Sequence, residues 1–248
     1  MLRCYRADLH IHTCLSPCAD LTMSPRRVVK AALAKKLDMI AICDHNSAEN
    51  LRAAANAARD TSLTVLAGME ITSSEEVHVI GLFKDVDTAL IMQQLVYQNL
   101  APGENKEKLF GEQIIANEFD EVEGYNHRLL IGATNLSISD TVQEIHRLDG
   151  LAIASHIDRE AYSIIGQLGF IPEGLELDAL EISSSITHAE AAKMAPQIEK
   201  FSLISSSDAH SLDEIGKVIA RFRIAAPTIE ELGKAFKVKQ GRSVMLEA

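Results

Sequence analysis

The sequence lacks an excess of positive charge and lacks long apolar runs. It carries 24 Lys and Arg against 35 Asp and Glu, for a formal net charge of −11 at pH 7, which disfavours stable nucleic-acid binding through bulk electrostatics. Bound metal ions would still make one pocket locally positive, so a phosphorylated substrate remains open. No apolar run approaches the roughly 18 residues of a membrane-spanning helix, and no charged-then-apolar leader precedes the first strand. We therefore expect a cytoplasmic protein that does not associate with membranes.

Cysteine is scarce, and its spacing lacks the paired form of most structural zinc sites. The four cysteines are Cys4, Cys14, Cys18 and Cys43, with no C-x2-C pair among them. A zinc site with four thiolate ligands is one interpretation, but reduced thiols in a cytosolic protein are favoured. A G-x-S-x-G motif and a Cys-His arrangement are also missing, which favours water over a side chain as the nucleophile of a hydrolytic reaction.

Apolar material is ample, at 47% of residues, and it alternates between strand-like and helix-like patterns. One helix is predicted from Ser24 and Pro25, because Ser is favoured before a helix and Pro at its first position. Strand, helix and strand in series predict parallel pairing and an α/β fold, and this length suits a single domain over residues 1–248. The predicted strands, besides one near residue 10, are 37–45, 63–72, 75–83, 151–157, 177–183 and 201–210.

Two segments break the alternation. Only a few residues separate Thr72 from Glu75, which is too short for a crossover helix and predicts a hairpin between the two flanking strands. Residues 104–136 resemble an acidic insertion, with strands around a turn as one interpretation. We expect this insertion to lie at the rim of the domain and to restrict the substrate.

The stretch RADLHIHTC places two histidines two residues apart in an apolar run. Because side chains alternate along a strand, Asp8, His10 and His12 are predicted to share one face, with Leu9 and Ile11 on the other. An H-x-H pair on a strand is a two-ligand grip for a metal ion, and a nearby carboxylate such as Asp8 suits an acceptor for an imidazole N–H.

Other acids and histidines come at the carboxyl ends of apolar runs. In parallel α/β barrels these strand ends converge on one rim, which carries the active site. Imidazole and carboxylate groups are ligands of divalent metals, and a carboxylate can bridge two ions. The pattern therefore predicts a metal site at this rim, with Asp44 as a supporting group. The strand-end residues are Asp44, His45, Glu70, His156, Asp208 and His210.

These motifs resemble those of the PHP (polymerase and histidinol phosphatase) family of metal-dependent phosphoesterases. DLHIHT, CDHN, GMEIT, VHVIG, ASH and SDAH follow one another in the family's order between about residues 6 and 211. The resemblance implies a distorted (β/α)7 TIM-like barrel with two or three divalent ions at the strand ends. Mn, Zn and Fe all suit such ligands. It also implies hydrolysis of a phosphoester by metal-activated hydroxide.

The resemblance also implies a set of ligands for each ion. His78 is included on this ground alone, because it lies inside an apolar run and the pattern by itself favours a buried structural histidine. The implied sets are His10, His12, Glu70 and Asp208 for one ion, His78 and His156 with a bridging Glu70 for a second, and His45 and His210 for a third.

Two further residues carry expectations with alternatives. The chain departs from the family's compact H-x-x-x-S-D-G form after H-x-H, so Asp20 is the candidate for the ligand usually found there. A turn aspartate, or Cys18 as ligand, is the alternative. Arg159 lies three residues after His156, where its guanidinium could hold a phosphate bidentately. An exposed arginine at a helix start is the other reading. Arg159, Asp208 and His210 are the expected catalytic residues.

Three classes of function fit these residues. The leading one is hydrolysis of a small phosphomonoester, such as a nucleotide 5′-monophosphate or 3′,5′-bisphosphate, with histidinol phosphate and short oligonucleotides as alternatives in the same class. An amidohydrolase acting on C–N bonds also opens with H-x-H, but it often uses a strand-borne lysine that is missing here. A non-catalytic metal-binding domain is disfavoured by the completeness of the ligand set.

Overall fold

The computed structural model describes residues 1–183 and 185–245 and has a nearly closed, barrel-shaped sheet of nine strands surrounded by helices, with a separate two-stranded sheet. The α/β barrel prediction is confirmed. The strands are β1 (Arg3–Ile11), β2 (Met39–Ile42), β3 (Thr64–Thr72), β4 (His78–Phe83), β5 (Ile114–Ala116), β6 (Val122–Tyr125), β7 (Leu151–Ala154), β8 (Ala179–Ile182), β9 (Ser202–Ser205), β10 (Ala220–Ile224) and β11 (Ser243–Met245). The helices are α1 (Pro25–Ala34), α2 (Leu51–Ala58), α3 (Val86–Asn99), α4 (Glu107–Phe110), α5 (Ile138–Arg147), α6 (Ile164–Leu168), α7 (His188–Met194) and α8 (Ile229–Phe236).

The strand order in the large sheet is β11-β10-β1-β2-β3-β4-β7-β8-β9. β1, β2 and β3 pair in parallel, as do β7, β8 and β9. The predicted hairpin is present, because β3 and β4 pair antiparallel with Thr72 opposite His78. The sheet exceeds the expected seven strands because β10 and β11 add to the free side of β1 as an antiparallel pair.

Apolar side chains on the two faces of the sheet form two separate cores. The inner core lies inside the barrel and includes Leu9, Ala41 and Ile153, together with Leu232 and Phe236 of α8. The outer core lies between the sheet and the surrounding helices. Among its members are Ile11, Ile42, Val28, Leu51 and Ile145. The strands are therefore buried on both faces, which is the usual condition of parallel sheets.

The insertion is fixed to the barrel by two buried asparagines that follow β2. The Asn46 side chain donates to the carbonyl oxygens of Leu130 and Gly132, both at 2.8 Å. The Asn50 side chain donates to the Ile114 carbonyl at 3.1 Å and accepts from the Ala116 N–H at 3.0 Å. Residues 104–136 thus lie against the segment that follows the carboxyl end of β2. None of the helices in the described part of the chain is long and apolar enough to span a membrane.

The amino-terminal end of the barrel is held by Asp178, which precedes β8. Its carboxylate accepts from the Ala152 N–H at 3.0 Å and from His146 Nε2 at 2.9 Å, and it lies 3.1 Å from Lys237 Nζ. The hydrogen bond from His146 to Asp178 raises the pKa of His146, although partial burial acts in the opposite direction. This hydrogen bond joins α5 to the residue that directly precedes β8.

We expect His146→Gln to destabilise the metal-free protein more at low pH than at high pH. Because the folded-state pKa of His146 is raised, its stabilising effect is present in full below the unfolded-state pKa of about 6.5 and is lost as the pH rises through the folded-state value. The expected loss of unfolding free energy is about 0.5–1 kcal/mol at pH 5.5 and less at pH 9. Urea unfolding at both pH values measures it, with the exposed His127→Gln as control. An equal loss at both pH values contradicts the prediction.

Candidate metal centre

A β-bulge in the strand that carries H-x-H changes which residues share a face. Asp8 pairs with Ile40 and Ile11 with Ile42, so β1 contains an extra residue at this point. As a result Leu9 packs in the inner core and Ile11 in the outer core, whereas strict alternation predicts one face for both. The sequence-based face assignment is therefore wrong for this segment. A bulge of this kind re-aims side chains and is common beside active sites.

Asp8 does not accept a hydrogen bond from either histidine in the described contacts. Its carboxylate accepts from the N–H and the hydroxyl of Ser207, at 3.0 and 2.6 Å, and from the Gly216 N–H at 2.9 Å. Burial raises the pKa of Asp8 to about 6 in spite of these bonds. Asp8 thus holds the segment that carries Asp208 rather than an imidazole, which corrects the role expected from the sequence.

Glu70 lies at the centre of a cluster of imidazoles. It is the seventh residue of β3, it is 1% exposed, and its two carboxylate oxygens face ring nitrogens contributed by four different parts of the barrel rim. The distances from Glu70 are 3.0 Å to His78 Nδ1, 3.2 Å to His45 Nδ1, 3.3 Å to His10 Nε2, 3.4 Å to His12 Nε2 and 3.4 Å to His156 Nε2.

The donor atoms of this cluster fit divalent metal ions. Several of them are close together and buried, yet the geometry leaves them without a hydrogen-bond partner among the described residues. Buried polar groups are normally paired, so unpaired atoms converging on common points suit ion coordination. The unpaired atoms at the cluster are Nδ1 of His45, Nδ1 of His78 and Oε1 of Glu70. His156 Nδ1 is also unpaired, but the nitrogen of this ring that faces Glu70 is Nε2. Three-residue groups with donor atoms within 4.8 Å of one another are His10–His12–Asp208, His45–Glu70–His78 and His12–His45–His210.

These groups overlap with the ligand sets implied by the resemblance but divide them differently. His10, His12 and Asp208 form one group, as expected for the first ion. His45 belongs both to the group with His210 and to the group with Glu70 and His78, whereas the expectation placed it with His210 alone. His156 lies outside the three groups, although its Nε2 is 3.4 Å from Glu70 Oε1.

His78 reaches the cluster because β4 runs antiparallel to β3. Its strand begins at His78, so the first residue of β4 lies at the same rim as the last residues of β3. The Tyr162 ring stacks on the His78 ring, with centroids 4.6 Å apart and planes tilted by 16°. An apolar run in the sequence does not reveal the direction of a strand, which is why pattern alone left His78 unassigned.

Asp20 does not join the cluster. Its side chain is exposed, and its carboxylate accepts from the Thr22 N–H at 2.8 Å within its own turn. These hydrogen bonds lower the pKa of Asp20. The structure therefore favours the turn aspartate over the ligand predicted from the sequence. Cys18 lines the pocket in this region instead.

Asp44 supports the loop that follows H-x-H. Its carboxylate accepts from the N–H and hydroxyl of Thr13 and from the Ser16 hydroxyl, each at 2.7 Å. Since the Ser16 proton goes to Asp44, the Ser16 oxygen accepts from His12 Nδ1 at 2.9 Å. Asp44 thus orients His12 through Ser16. No sequence signal singles out Ser16, because its contact depends on how the loop folds back.

Glu181, a buried carboxylate in β8, is not among the residues predicted from the sequence. Both of its oxygens accept from His10 Nδ1, at 3.1 and 3.2 Å, and Oε1 lies 3.2 Å from the His156 main-chain N–H. A signal was present, because an acidic residue in the buried run ALEI needs a partner.

Backbone strain is concentrated beside the ligands. Asn46, His156 and Asp208 adopt positive φ angles of 51°, 27° and 49°, a region that non-glycine residues rarely occupy. Each follows the carboxyl end of a strand, where the chain turns to aim a neighbouring group into the cluster. Such strain persists where the surrounding contacts over-determine it, typically at functional sites.

The carboxylates and imidazoles shift one another's pKa values strongly. Burial alone would lower the pKa of His12, but Asp208 and Glu70 raise it to about 9. Burial would raise the pKa of Glu70, yet His78 and His10 hold it well below its usual range. Burial and the neighbouring His12 lower the pKa of His45 well below normal. In the ion-free state, protons on some imidazoles thus balance the carboxylates, and ions would replace them.

A pocket of about 380 Å³ opens onto the cluster. Arg159 lies at its edge with Nη1 2.6 Å from Asp208 Oδ2, and its side chain is partly exposed. Besides the histidines and carboxylates of the cluster, the lining residues are Cys18, Ile131, Arg159, Ala161 and Tyr162. Ile131 belongs to the insertion, so residues 104–136 contribute to the pocket wall.

A barrel rim of buried imidazoles around a central carboxylate is the site of a metal-dependent hydrolase. The family model for the PHP domain matches residues 8–175. The chain belongs to the PHP family, whose members are metal-dependent hydrolases acting on phosphoester bonds. The resemblance and the enzyme class expected from the sequence are both confirmed.

The proteins similar to this chain match it over regions of different length. A 94-residue segment is 32% identical to a 5′-3′ exoribonuclease of Haemophilus influenzae, covering 35% of this chain and 33% of that protein. The lesion-specific endonuclease Q from Pyrococcus furiosus superposes with a TM-score of 0.77 at 19% identity, over 98% of this chain and 58% of that one. A Bifidobacterium adolescentis protein provisionally assigned as a metal-dependent phosphoesterase superposes with a TM-score of 0.58 at 18% identity, over 86% of this chain and 91% of that one. The chain thus spans less than two thirds of the exoribonuclease and of endonuclease Q, and the structural likeness shows the fold.

Proposed function

We propose that the protein hydrolyses a small phosphomonoester, with a nucleotide 5′-monophosphate or 3′,5′-bisphosphate as substrate, using two or three divalent ions. The observation that carries this proposal is the pocket of about 380 Å³ beside the cluster. This volume is in the range of small-molecule sites. Among the pocket residues that the structure describes, Arg159 is the one Lys or Arg, which suits a single phosphate better than a long polyanion.

The roles follow from the positions of the side chains. The ligands would be His10, His12, His45, Glu70, His78, His156, Asp208 and His210. Divalent ions held by these residues would supply an activated water and would offset the charge that develops on the phosphoryl oxygens. His210 donates from Nδ1 to the Asp208 carbonyl at 2.8 Å, which leaves Nε2 available to the pocket. Arg159 keeps further N–H groups for a phosphate oxygen while Nη1 holds Asp208.

Tyr162 and Ile131 supply the apolar part of the pocket. Tyr162 is 40% exposed while one face of its ring covers His78, so a ring face or edge is available to a nucleobase. Ile131 narrows the wall on the side of the insertion. We propose that residues 104–136 restrict the size of the substrate in this way. Exclusion of bulk water by these side chains strengthens the electrostatic contacts inside.

Cleavage of a nucleic-acid strand is the second candidate function. It is favoured by the fold likeness to endonuclease Q, which has also been solved with a 27-mer duplex carrying an abasic lesion at the active site. The exoribonuclease relative points in the same direction. The formal net charge of −11 disfavours it, because strand binding relies on neutralised phosphates.

Phosphate release and strand cleavage by Mn²⁺-loaded protein separate the two functions. The substrates are AMP, a nucleoside 3′,5′-bisphosphate, histidinol phosphate, a short oligonucleotide and a duplex with an abasic site. We expect release from a nucleotide, abolished in the His10→Ala, His12→Ala double variant. Cleavage of the oligonucleotide or the duplex, without release from the small substrates, refutes the phosphomonoester proposal and supports the second function.

Arg159→Ala is expected to raise KM for the phosphomonoester about 10–100-fold, because a charge-assisted hydrogen bond contributes about 1.5–3 kcal/mol. Arg159→Lys keeps the positive charge but not the planar guanidinium, so its KM is expected to lie between those of the wild type and Arg159→Ala. Steady-state kinetics with metal content measured in parallel tests this, and the exposed Arg52→Ala is the control. An unchanged KM in Arg159→Ala shows that this residue only braces Asp208.

A further inference from the structure

We infer that Glu181 is a positioning residue of the metal centre: it orients the imidazole of His10 and fixes the main chain that carries His156. The inference requires metal binding at the cluster and is independent of which substrate is hydrolysed. Glu181 is 1% exposed and lies in β8 between apolar neighbours. A buried carboxylate at such a place is costly unless it is paired.

Glu181 fixes the ring orientation of His10. A carboxylate only accepts, so the proton on His10 must be on Nδ1, which lies 3.1 and 3.2 Å from the two Glu181 oxygens. His10 Nε2 then points away from Glu181, at 3.3 Å from Glu70 Oε1 and 3.3 Å from Asp208 Oδ1. When an ion replaces the proton on Nε2, the lone pair of this nitrogen would be aimed at the centre of the cluster, as a metal ligand requires.

Glu181 reaches His10 at the closure of the barrel. Along the strand order, β2, β3, β4 and β7 lie between β1 and β8, but the barrel closes where Ile11 pairs with Ala209, just after β9. On that side only β9 separates β8 from β1. The contact between Glu181 and His10 therefore spans the closure of the barrel, where the first strand and the last parallel strands meet. Replacement by a shorter carboxylate would leave His10 Nδ1 without this acceptor.

Glu181 also holds the turn after β7. Oε1 of Glu181 lies 3.2 Å from the His156 N–H, and the Glu181 carbonyl accepts from the Ile157 N–H at 2.8 Å. These two contacts bracket His156, whose φ of 27° is strained. One residue thus holds the side chain of one candidate ligand and the backbone of another.

Metal affinity and a ligand-field spectrum test the inference without any substrate. The variants are Glu181→Ala, Glu181→Asp and Glu181→Gln, with the exposed Glu173→Gln as control. We expect Ala and Asp to weaken Mn²⁺ binding about 10–100-fold in chelator competition, as losses of such supporting groups typically do. Gln keeps one oxygen for Nδ1–H and is expected to recover part of the affinity. The visible absorption of the Co²⁺-loaded protein should change in Ala and Asp and stay unchanged in Glu173→Gln.

Each outcome decides for or against the role. If Glu181→Asp binds Mn²⁺ as tightly as the wild type and gives the same Co²⁺ spectrum, negative charge alone suffices and the positioning role is refuted. Thermal unfolding in chelator shows whether Glu181→Ala folds. If it does not, the Mn²⁺ affinities of Glu181→Asp and Glu181→Gln are compared instead. Absence of Mn²⁺ and Co²⁺ binding by the wild type would refute the metal centre itself. Intact metal binding without phosphate release would refute the proposed substrate and leave this inference standing.

Discussion

Glu70→Gln is expected to reduce phosphoester hydrolysis by at least about 10³-fold in kcat/KM, at the upper end of what single electrostatic groups of an active site contribute. The reason is the central position of the Glu70 carboxylate, which lies within 3.4 Å of ring nitrogens of five histidines. A neutral amide offers one oxygen in place of two and removes the negative charge that would offset bound cations. Turnover of the preferred substrate of the nucleotide panel, with metal content by elemental analysis, measures the effect.

The exposed Glu123→Gln on β6 is the matched control for this substitution. It makes the same chemical change away from the cluster and is expected to leave kcat/KM unchanged. If Glu70→Gln retains most of its activity and its full metal content, Glu70 does not bridge or hold an ion, and the assignment of the metal centre fails. A loss of activity with full metal content would assign Glu70 to the reaction rather than to ion binding.

Removal of divalent ions is expected to lower Tm by on the order of 10 °C. Ions that bind the folded chain at about 1,000 times their Kd stabilise it by roughly 4 kcal/mol, and each kcal/mol shifts Tm by about 2–4 °C in a chain of this size. The structural reason is that buried atoms such as Glu70 Oε1 and His78 Nδ1 lie 3.0 Å apart without the geometry of a hydrogen bond, so neither has a hydrogen-bond partner among the described residues. Coordination would satisfy them. Thermal unfolding in chelator and with Mn²⁺ restored measures the difference.

The His10→Ala, His12→Ala double variant is the control for this measurement. It is expected to unfold at nearly the same temperature with and without Mn²⁺, because two ligands of the cluster are missing. A Tm increase of equal size in the wild type and the double variant would mean that Mn²⁺ acts elsewhere on the protein.

Much of the fold and part of the site follow from the residues alone. Alternating strand and helix patterns predict the α/β barrel, because a parallel pair of strands needs a crossover between them. Glu70, His156 and Asp208 come at or just after the ends of apolar runs, and parallel topology then brings them to one rim. The family motifs add His78, which the apolar pattern does not single out.

Tertiary structure decided the remainder. The bulge in β1 separates Asp8 from the face of His10, because one extra residue reverses the alternation that sequence reasoning assumes. Asp20 turns back on Thr22. A turn of this kind depends on the local path of the loop.

The contact between Glu181 and His10 cannot be predicted from any local sequence pattern. The two residues are 171 positions apart in the chain, and they meet only because the sheet closes into a barrel. Periodicity within a strand reports which way each side chain points, whereas a contact across the barrel depends on the closure of the whole sheet. The types and approximate location of the metal-binding groups were therefore readable from the residues, but the groups that orient them became visible only in the folded chain.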